Sequence, residues 1–193
     1  MDSVFFNNYL IVINILGFIL FAINTWLYSN TQKGQIDAIL TITSLLGGSL
    51  GIVLAILIID RKAEKGNMMS RVFVICVLII QIVAFLLLRG HHQENITFAF
   101  WEYFGNYRIF IIYLLLINLI TFIAYGVDKY SAVKHKHRIR IVALLGLAFI
   151  GGSVGGLLAM YIFRHKTKKD YFSVGLPLII VMQIVLVFYL MNI

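Results

Sequence analysis

The sequence predicts an all-α integral membrane protein with six transmembrane helices, arranged as two inverted three-helix repeats. Three observations predict it. Hydrophobic residues make up 61% of the 193 positions and charged residues only 12%, more apolar surface than a soluble core of this size can hide, so lipid must be part of the solvent. Six apolar stretches are each long enough to cross the hydrocarbon, which takes about 20 helical residues. The chain also overlays on itself at a shift of 104: residues 13–65 against 117–169 give 14 identities in 53 columns without a gap, the mark of a fused duplication.

The expected spans run over residues 9–29, 37–59 and 70–88 in the first copy and 107–127, 141–163 and 172–191 in the second, each helix satisfying its own backbone. Asp2 precedes the first span where a signal peptide would carry a basic leader, and no small-residue cleavage site follows, so this span is expected to stay. The resulting domains are a first three-helix repeat over 1–88, a linker over 89–108 and a second repeat over 109–193. The linker has no counterpart in the repeat, and its Phe98, Phe100, Trp101, Tyr103 and Phe104 suit a short helix lying among the headgroups. Three crossings per copy, an odd number, turn the second copy upside down relative to the first. Inverted repeats of this kind build many transporters, with the site near the midplane where the halves meet. With the spans alternating, nine basic residues fall on the N-terminal side and seven on the other, only a slight lean under the positive-inside rule.

Polar residues within the apolar runs mark the candidate centre. Asn14, Gln81, Asn118 and Gln183 sit mid-run as two matched pairs, either bonding between helices or replacing part of a solute's water shell. The central third of every span lacks Asp, Glu, Lys and Arg, which disfavours a proton-coupled pump built on a buried carboxylate. Gly47-Gly48-Ser49-Leu50-Gly51 and Gly151-Gly152-Ser153-Val154-Gly155 fit the nucleophile-elbow spacing, yet that motif needs a strand, a strained turn and a nearby histidine base. The histidines fall in loops or at span ends, so no catalytic residue is assigned and the protein is read as not an enzyme. As Gly-x-x-x-Gly, the same residues let helix backbones approach closely, with the second and fifth spans crossing there, or line a local break in the helix.

Charges gather at the span ends. Asp37 opens the second span on the side where Arg164, His165 and Lys166 close the fifth, while Asp128 and Lys129 share the other side with Asp60, Arg61 and Lys62. Such clusters are either solvated or touching lipid phosphate, or they form a gate or vestibule that concentrates an anion. His91-His92 with Glu94 and His135-x-His137 are poor metal ligands, the second pair being flanked by Lys134, Lys136 and Arg138, which repel a cation. No metal and no cofactor is expected. Cys76 lies inside an apolar run as a packing residue. The strip from Lys134 to Arg140 reads as an attractor for anionic phospholipid headgroups. A net charge of +8 is ordinary for basic loops, and no soluble domain offers a nucleic-acid site.

One resemblance stands out in the second copy. Asn118-Leu119-Ile120, the run Tyr125 to Lys129, Arg138-Ile139, the run Gly151 to Gly156 and the run Phe163 to Phe172 together resemble the bacterial membrane family known as domain of unknown function 1294, over about residues 117–188. The family pattern places Pro-Glu after Arg-Ile, where this copy has Arg140 and Ile141. The first copy resembles a degenerate member: it keeps Gly47 to Gly51, has Asn24 for the aspartate, Asp60-Arg61-Lys62 for Arg-His-Lys, and Asp37 at the glutamate position. The resemblance implies a small bacterial membrane protein without an assigned activity.

The functional expectation is a small channel or transporter for a small solute, an anion included, or for a lipid headgroup, with its site at the repeat interface. The alternative is a structural or assembly factor that binds anionic lipid or partner helices and moves nothing. The expected partners are the bilayer, its anionic headgroups and a second copy in a homo-oligomer, and the expected location is the bacterial cell membrane. A continuous polar path through the centre favours the first reading; a dry, packed centre favours the second.

Overall fold

A computed structural model of the chain describes residues 3–30, 37–62, 66–90 and 96–193. Helices dominate, and the described residues contain no strand. Six helical stretches are long and apolar enough to cross a membrane: Val4–Leu27, Ala38–Ile59, Met68–Leu88, Arg108–Val133, Ile141–Ile162 and Asp170–Met191. The chain is thus a multi-pass membrane protein by length and composition of its helices. It divides into two compact units, Met1–Ile82 and Val83–Ile193.

Unit one begins with α1 (Ser3–Asn30), continues through α2 (Asp37–Thr43) and α3 (Ser49–Ile59), and ends in α4 (Met68–Leu88), whose last residues fall in unit two. Unit two adds α5 (Phe100–Asn106), then α6 (Arg108–Val133), α7 (Ile141–Leu147), α8 (Ser153–Ile162), the single turn α9 (Asp170–Ser173) and α10 (Gly175–Met191). Pro177 lies in the first turn of α10, where its missing N–H would have had no intrahelical partner anyway. The linker helix α5 falls where the aromatic run predicts one. Trp101 on it is 92% exposed, as an interfacial ring requires.

The second and fifth stretches are not single helices. Each is interrupted by a kinked turn, Ser44–Gly48 in one and Ala148–Gly152 in the other. Inside these turns Gly47 has φ 115° and Gly151 has φ 125°, a left-handed region where any residue with a Cβ is strained. An apolar run of 22 residues therefore changes direction at one glycine.

In unit two the change is a reversal. Tyr113 on α6 bonds to Ile150, Asn118 to Gly155, Phe122 stacks on Phe163, and Asp128 meets His165. The partners advance along α8 in the same direction as α6. Residues just before α7 also reach Asp128, since the Ile139 N–H donates to its Oδ1 at 3.1 Å. A straight helix over Ile141–Ile162 would hold its two ends about 33 Å apart, yet both ends meet one carboxylate. α7 runs up to the turn at Gly151, and α8 returns to the level at which α7 began.

Unit one is built alike. Tyr9 bonds to Leu46 and Asn14 to Gly51, while Phe21 packs on Ile52 and Ile56, so α3 advances alongside α1. Leu40, which precedes the break, packs on the same cluster as Ile56 after it. This is a second helical hairpin. In each unit two long helices flank a hairpin broken at a glycine. All six stretches expected from the sequence are present as helical segments of spanning length, the second and fifth with a reversal of direction that length and hydropathy do not register.

Candidate functional site

Glycine breaks expose carbonyls at mid-depth, where water is scarce and an unpaired polar group is costly. The four amides singled out in the sequence supply the missing partners. In unit one the Gln81 Nε2 donates to the Ser44 and Leu45 carbonyls at 2.6 and 3.1 Å, and the Ser49 hydroxyl donates to Gln81 Oε1. Asn14 Oδ1 accepts the Gly51 N–H at 2.8 Å, and its Nδ2 donates to the Leu10 carbonyl at 2.7 Å. In unit two Gln183 donates to the Ala148 and Phe149 carbonyls at 2.7 and 3.1 Å and accepts from the Ser153 hydroxyl. Asn118 accepts the Gly155 N–H at 2.6 Å and donates to the Leu114 and Gly151 carbonyls at 2.8 and 2.9 Å.

The same network is thus made twice. Close approach of backbones makes it possible: a Cβ on Gly51 would lie 1.9 Å from the Asn14 carbonyl oxygen, and one on Gly155 2.1 Å from that of Asn118. Gly152 is as confined, a Cβ there lying 1.9 Å from Thr121 Oγ1, and Gly48 less so, its nearest neighbours at 2.9 Å. Ser49 and Ser153 are fully buried, and the acceptor beside each hydroxyl is an amide oxygen, which cannot take its proton as a base does.

Sequence reasoning missed two members of this network. The Tyr9 hydroxyl donates to the Leu46 carbonyl at 2.6 Å, and that of Tyr113 donates to the Ile150 carbonyl. The signal was present, since Tyr9 and Tyr113 stand 104 apart, just outside the compared window. The glutamines stand 102 apart, because the chain between hairpin and last helix is two residues shorter in the second copy.

The charged residues divide differently from the sequence expectation, which put Asp128 and His165 on opposite membrane faces. In unit two Asp128, fully buried, holds both ends of the hairpin. Its Oδ1 takes the Ile139 N–H at 3.1 Å. Its Oδ2 meets Lys166 Nζ at 2.8 Å, His165 Nε2 at 2.9 Å and the Arg138 guanidinium at 3.4 Å. The physical reason for the correction is the reversal at Gly151, which returns residues 164–166 to the end of α6 that carries Asp128. Asp37, the expected partner, has its side chain outside the described residues, as do His91, His92 and Glu94.

Burial, the largest cause, holds the His165 and Lys166 values below those of the free side chains, against the opposing pull of Asp128. Arg164 and Lys166 adopt left-handed backbone, φ 46° and 65°, a conformation uncommon outside glycine, which aims both His165 and Lys166 at Asp128. Lys166 also lies 4.7 Å above the Phe172 ring. Lys129 is half-buried on α6 and Arg164 is exposed. In unit one Asp60 pairs with Arg71 at 3.1 Å and accepts from Asn67 at 2.8 Å, while Arg61 and Lys62 are exposed.

Residues 118–172 match the family described as a protein of unknown function, DUF1294. The uncharacterised protein YsdA of Bacillus subtilis (strain 168) is 44% identical over 75 residues, a match covering 39% of this chain and 84% of that relative. No solved structure matches. The matched segment holds Asn118, the broken hairpin, Asp128 and the 164–166 turn, so the scaffold of unit two and its charged clasp are what the similarity covers. With four-fifths of that relative aligned at this identity, the chain belongs to the DUF1294 family.

Proposed function

We propose that this is a four-crossing cell-membrane protein that binds anionic headgroups at its cytoplasmic face, through the cationic hairpin ends. With two full traverses, each copy begins and ends on one side of the membrane while its hairpin opens on the other. All sixteen Lys and Arg residues except Arg89 and Arg108 then belong by sequence position to the hairpin side. That count of fourteen against two carries the reading, for it replaces an ambiguous charge balance with a pronounced positive-inside bias. A basic face of this density attracts anionic lipid by about 1 kcal/mol per well-placed side chain. The mid-depth amides favour binding over passage, because their hydrogen bonds already go to their own unit's backbone and serine.

Topology is tested by reporter fusions at Lys33 and His135: both are expected on the cytoplasmic side. Opposite sides would restore the inverted six-span reading. Binding is tested by stability in nanodiscs, with phosphatidylglycerol expected to raise the unfolding midpoint over phosphatidylcholine and high salt to remove the gain. Equal midpoints in the two lipids would sink it.

Transport is the second reading, favoured by the breaks at Gly47 and Gly151. Non-helical backbone at membrane depth occurs where protein buries it or where it lines a water-filled cavity, and broken helices recur in transporters. Solute flux into proteoliposomes, lost in Gly151→Ala, would establish it.

A further inference from the structure

The two units share a scaffold, and the place where they part company is at the clasp end of the hairpin. Across the shift of 104, Phe21 corresponds to Tyr125, Asn24 to Asp128 and Ile52 to Gly156. In unit one Phe21, Ile52, Ile56 and Val74 fill this place as an apolar cluster. Unit two puts a phenol, a carboxylate and a bare glycine there. A Cβ on Gly156 would lie 3.4 Å from the Tyr125 ring, which stands edge-on to Phe172 with centroids 5.5 Å apart. Tyr125 is fully buried, and its hydroxyl has no hydrogen-bond partner.

Leaving a buried hydroxyl unpaired is costly, and the scaffold does not need it, since phenylalanine serves in unit one. A ligand group accounts for it. Around the same spot, Lys166 sits above the Phe172 ring, and Lys166, His165 and Arg138 crowd one carboxylate oxygen. Arg138 makes the longest of these contacts and its side chain is 52% exposed, so it is the member best placed to swing toward an incoming group. Strained backbone at Arg164 and Lys166 is the kind of feature that persists where function demands it.

We propose that unit two holds a phosphate-binding site, with the Tyr125 hydroxyl, Lys166, His165 and Arg138 as donors and Asp128 keeping the cations gathered. Phosphate fits because it presents several acceptor oxygens to donors converging from α6, the 134–140 connection and the 163–169 connection, and Arg binds it in a fork. The phosphate belongs either to an inner-leaflet lipid or to a free phosphate ester. This rests on the anion-binding reading above and goes further by naming the atoms.

The test uses the full chain in nanodiscs, comparing phosphatidylcholine alone, the same discs with inorganic phosphate, and discs containing phosphatidylglycerol. Wild type is set beside Tyr125→Phe and beside Arg108→Ala, at the start of α6 and away from the hairpin ends. Inorganic phosphate raising the midpoint identifies a free phosphate, and phosphatidylglycerol alone doing so identifies a lipid. In either arm Tyr125→Phe is expected to weaken apparent affinity about tenfold, the scale of one hydrogen bond to a charged group. Its ligand-free midpoint should be unchanged or higher, and Arg108→Ala should bind as wild type. Equal affinity in wild type and Tyr125→Phe overturns the site while leaving the anion-binding face standing. A Tyr125→Phe protein that is less stable without ligand also overturns it, because the hydroxyl then serves the scaffold. No response of wild type to either probe removes both readings.

Discussion

Asp128 accepts from both ends of one hairpin, which makes it the side chain whose loss should be felt furthest. Asp128→Asn keeps the shape but leaves Lys166 and His165 buried without a counter-charge. Breaking a buried pair in this way costs about 3–5 kcal/mol, so the unfolding midpoint in detergent should fall by several degrees. Asparagine at the matching position, Asn24, shows that the backbone itself tolerates the amide. His165 gives a pH signature. Its folded value lies below the free one, so between the two values the unfolded chain binds more protons than the folded chain. Stability then rises with pH across that window and falls on acidification below about 6.5. Unfolding scans from pH 7.5 to 5 should show the decline, and His165→Gln should flatten it. Asp128 was legible as a residue of interest; its partners were not, because they lie 10 to 38 positions away on chain that reverses in between.

At the scale of the helix, the break and its repair are separate problems solved by different residues. Gly151 permits the turn through its φ, and Gln183, from another helix, caps the carbonyls that the turn uncovers. Gln183→Leu should leave the Ala148 and Phe149 carbonyls and the Ser153 hydroxyl unpaired, costing about 1–3 kcal/mol for each group that finds no substitute. A lowered unfolding midpoint, with the helical circular-dichroism signal retained below it, is the expected result. The glycine motif and all four amides could be read from the chain as polar points in an apolar run. Their pairing could not, since a single left-handed residue decides whether α8 continues away from α7 or returns beside α6.

Across the whole molecule, duplication explains why one network occurs twice and why a relative can match only 39% of this chain while 84% of that relative is covered. The relative is about one copy long. A fragment of residues 96–193, which retains the bond of the Asn192 side chain to the Thr97 backbone N–H at 2.7 Å, is therefore expected to insert and fold. In that fragment Asp128→Asn should lower the midpoint as it does in the intact chain. A fragment that aggregates or is degraded would show that unit two depends on unit one. The copies have diverged where the scaffold permits it, at Phe21, Asn24 and Ile52 against Tyr125, Asp128 and Gly156.

Composition, periodicity and the 104-residue shift were enough to establish a helical membrane protein, its duplication and the polar residues within its apolar runs, because each depends on residue type and spacing along the chain; the family came from the resemblance of particular residues in the second copy. The direction of the second and fifth stretches depended on tertiary structure alone. Hydropathy measures how much apolar length is present and is blind to the sign of a backbone angle. One positive φ at Gly47 and another at Gly151 turn these two stretches back on themselves, and the second brings Asp128 against His165 and Lys166.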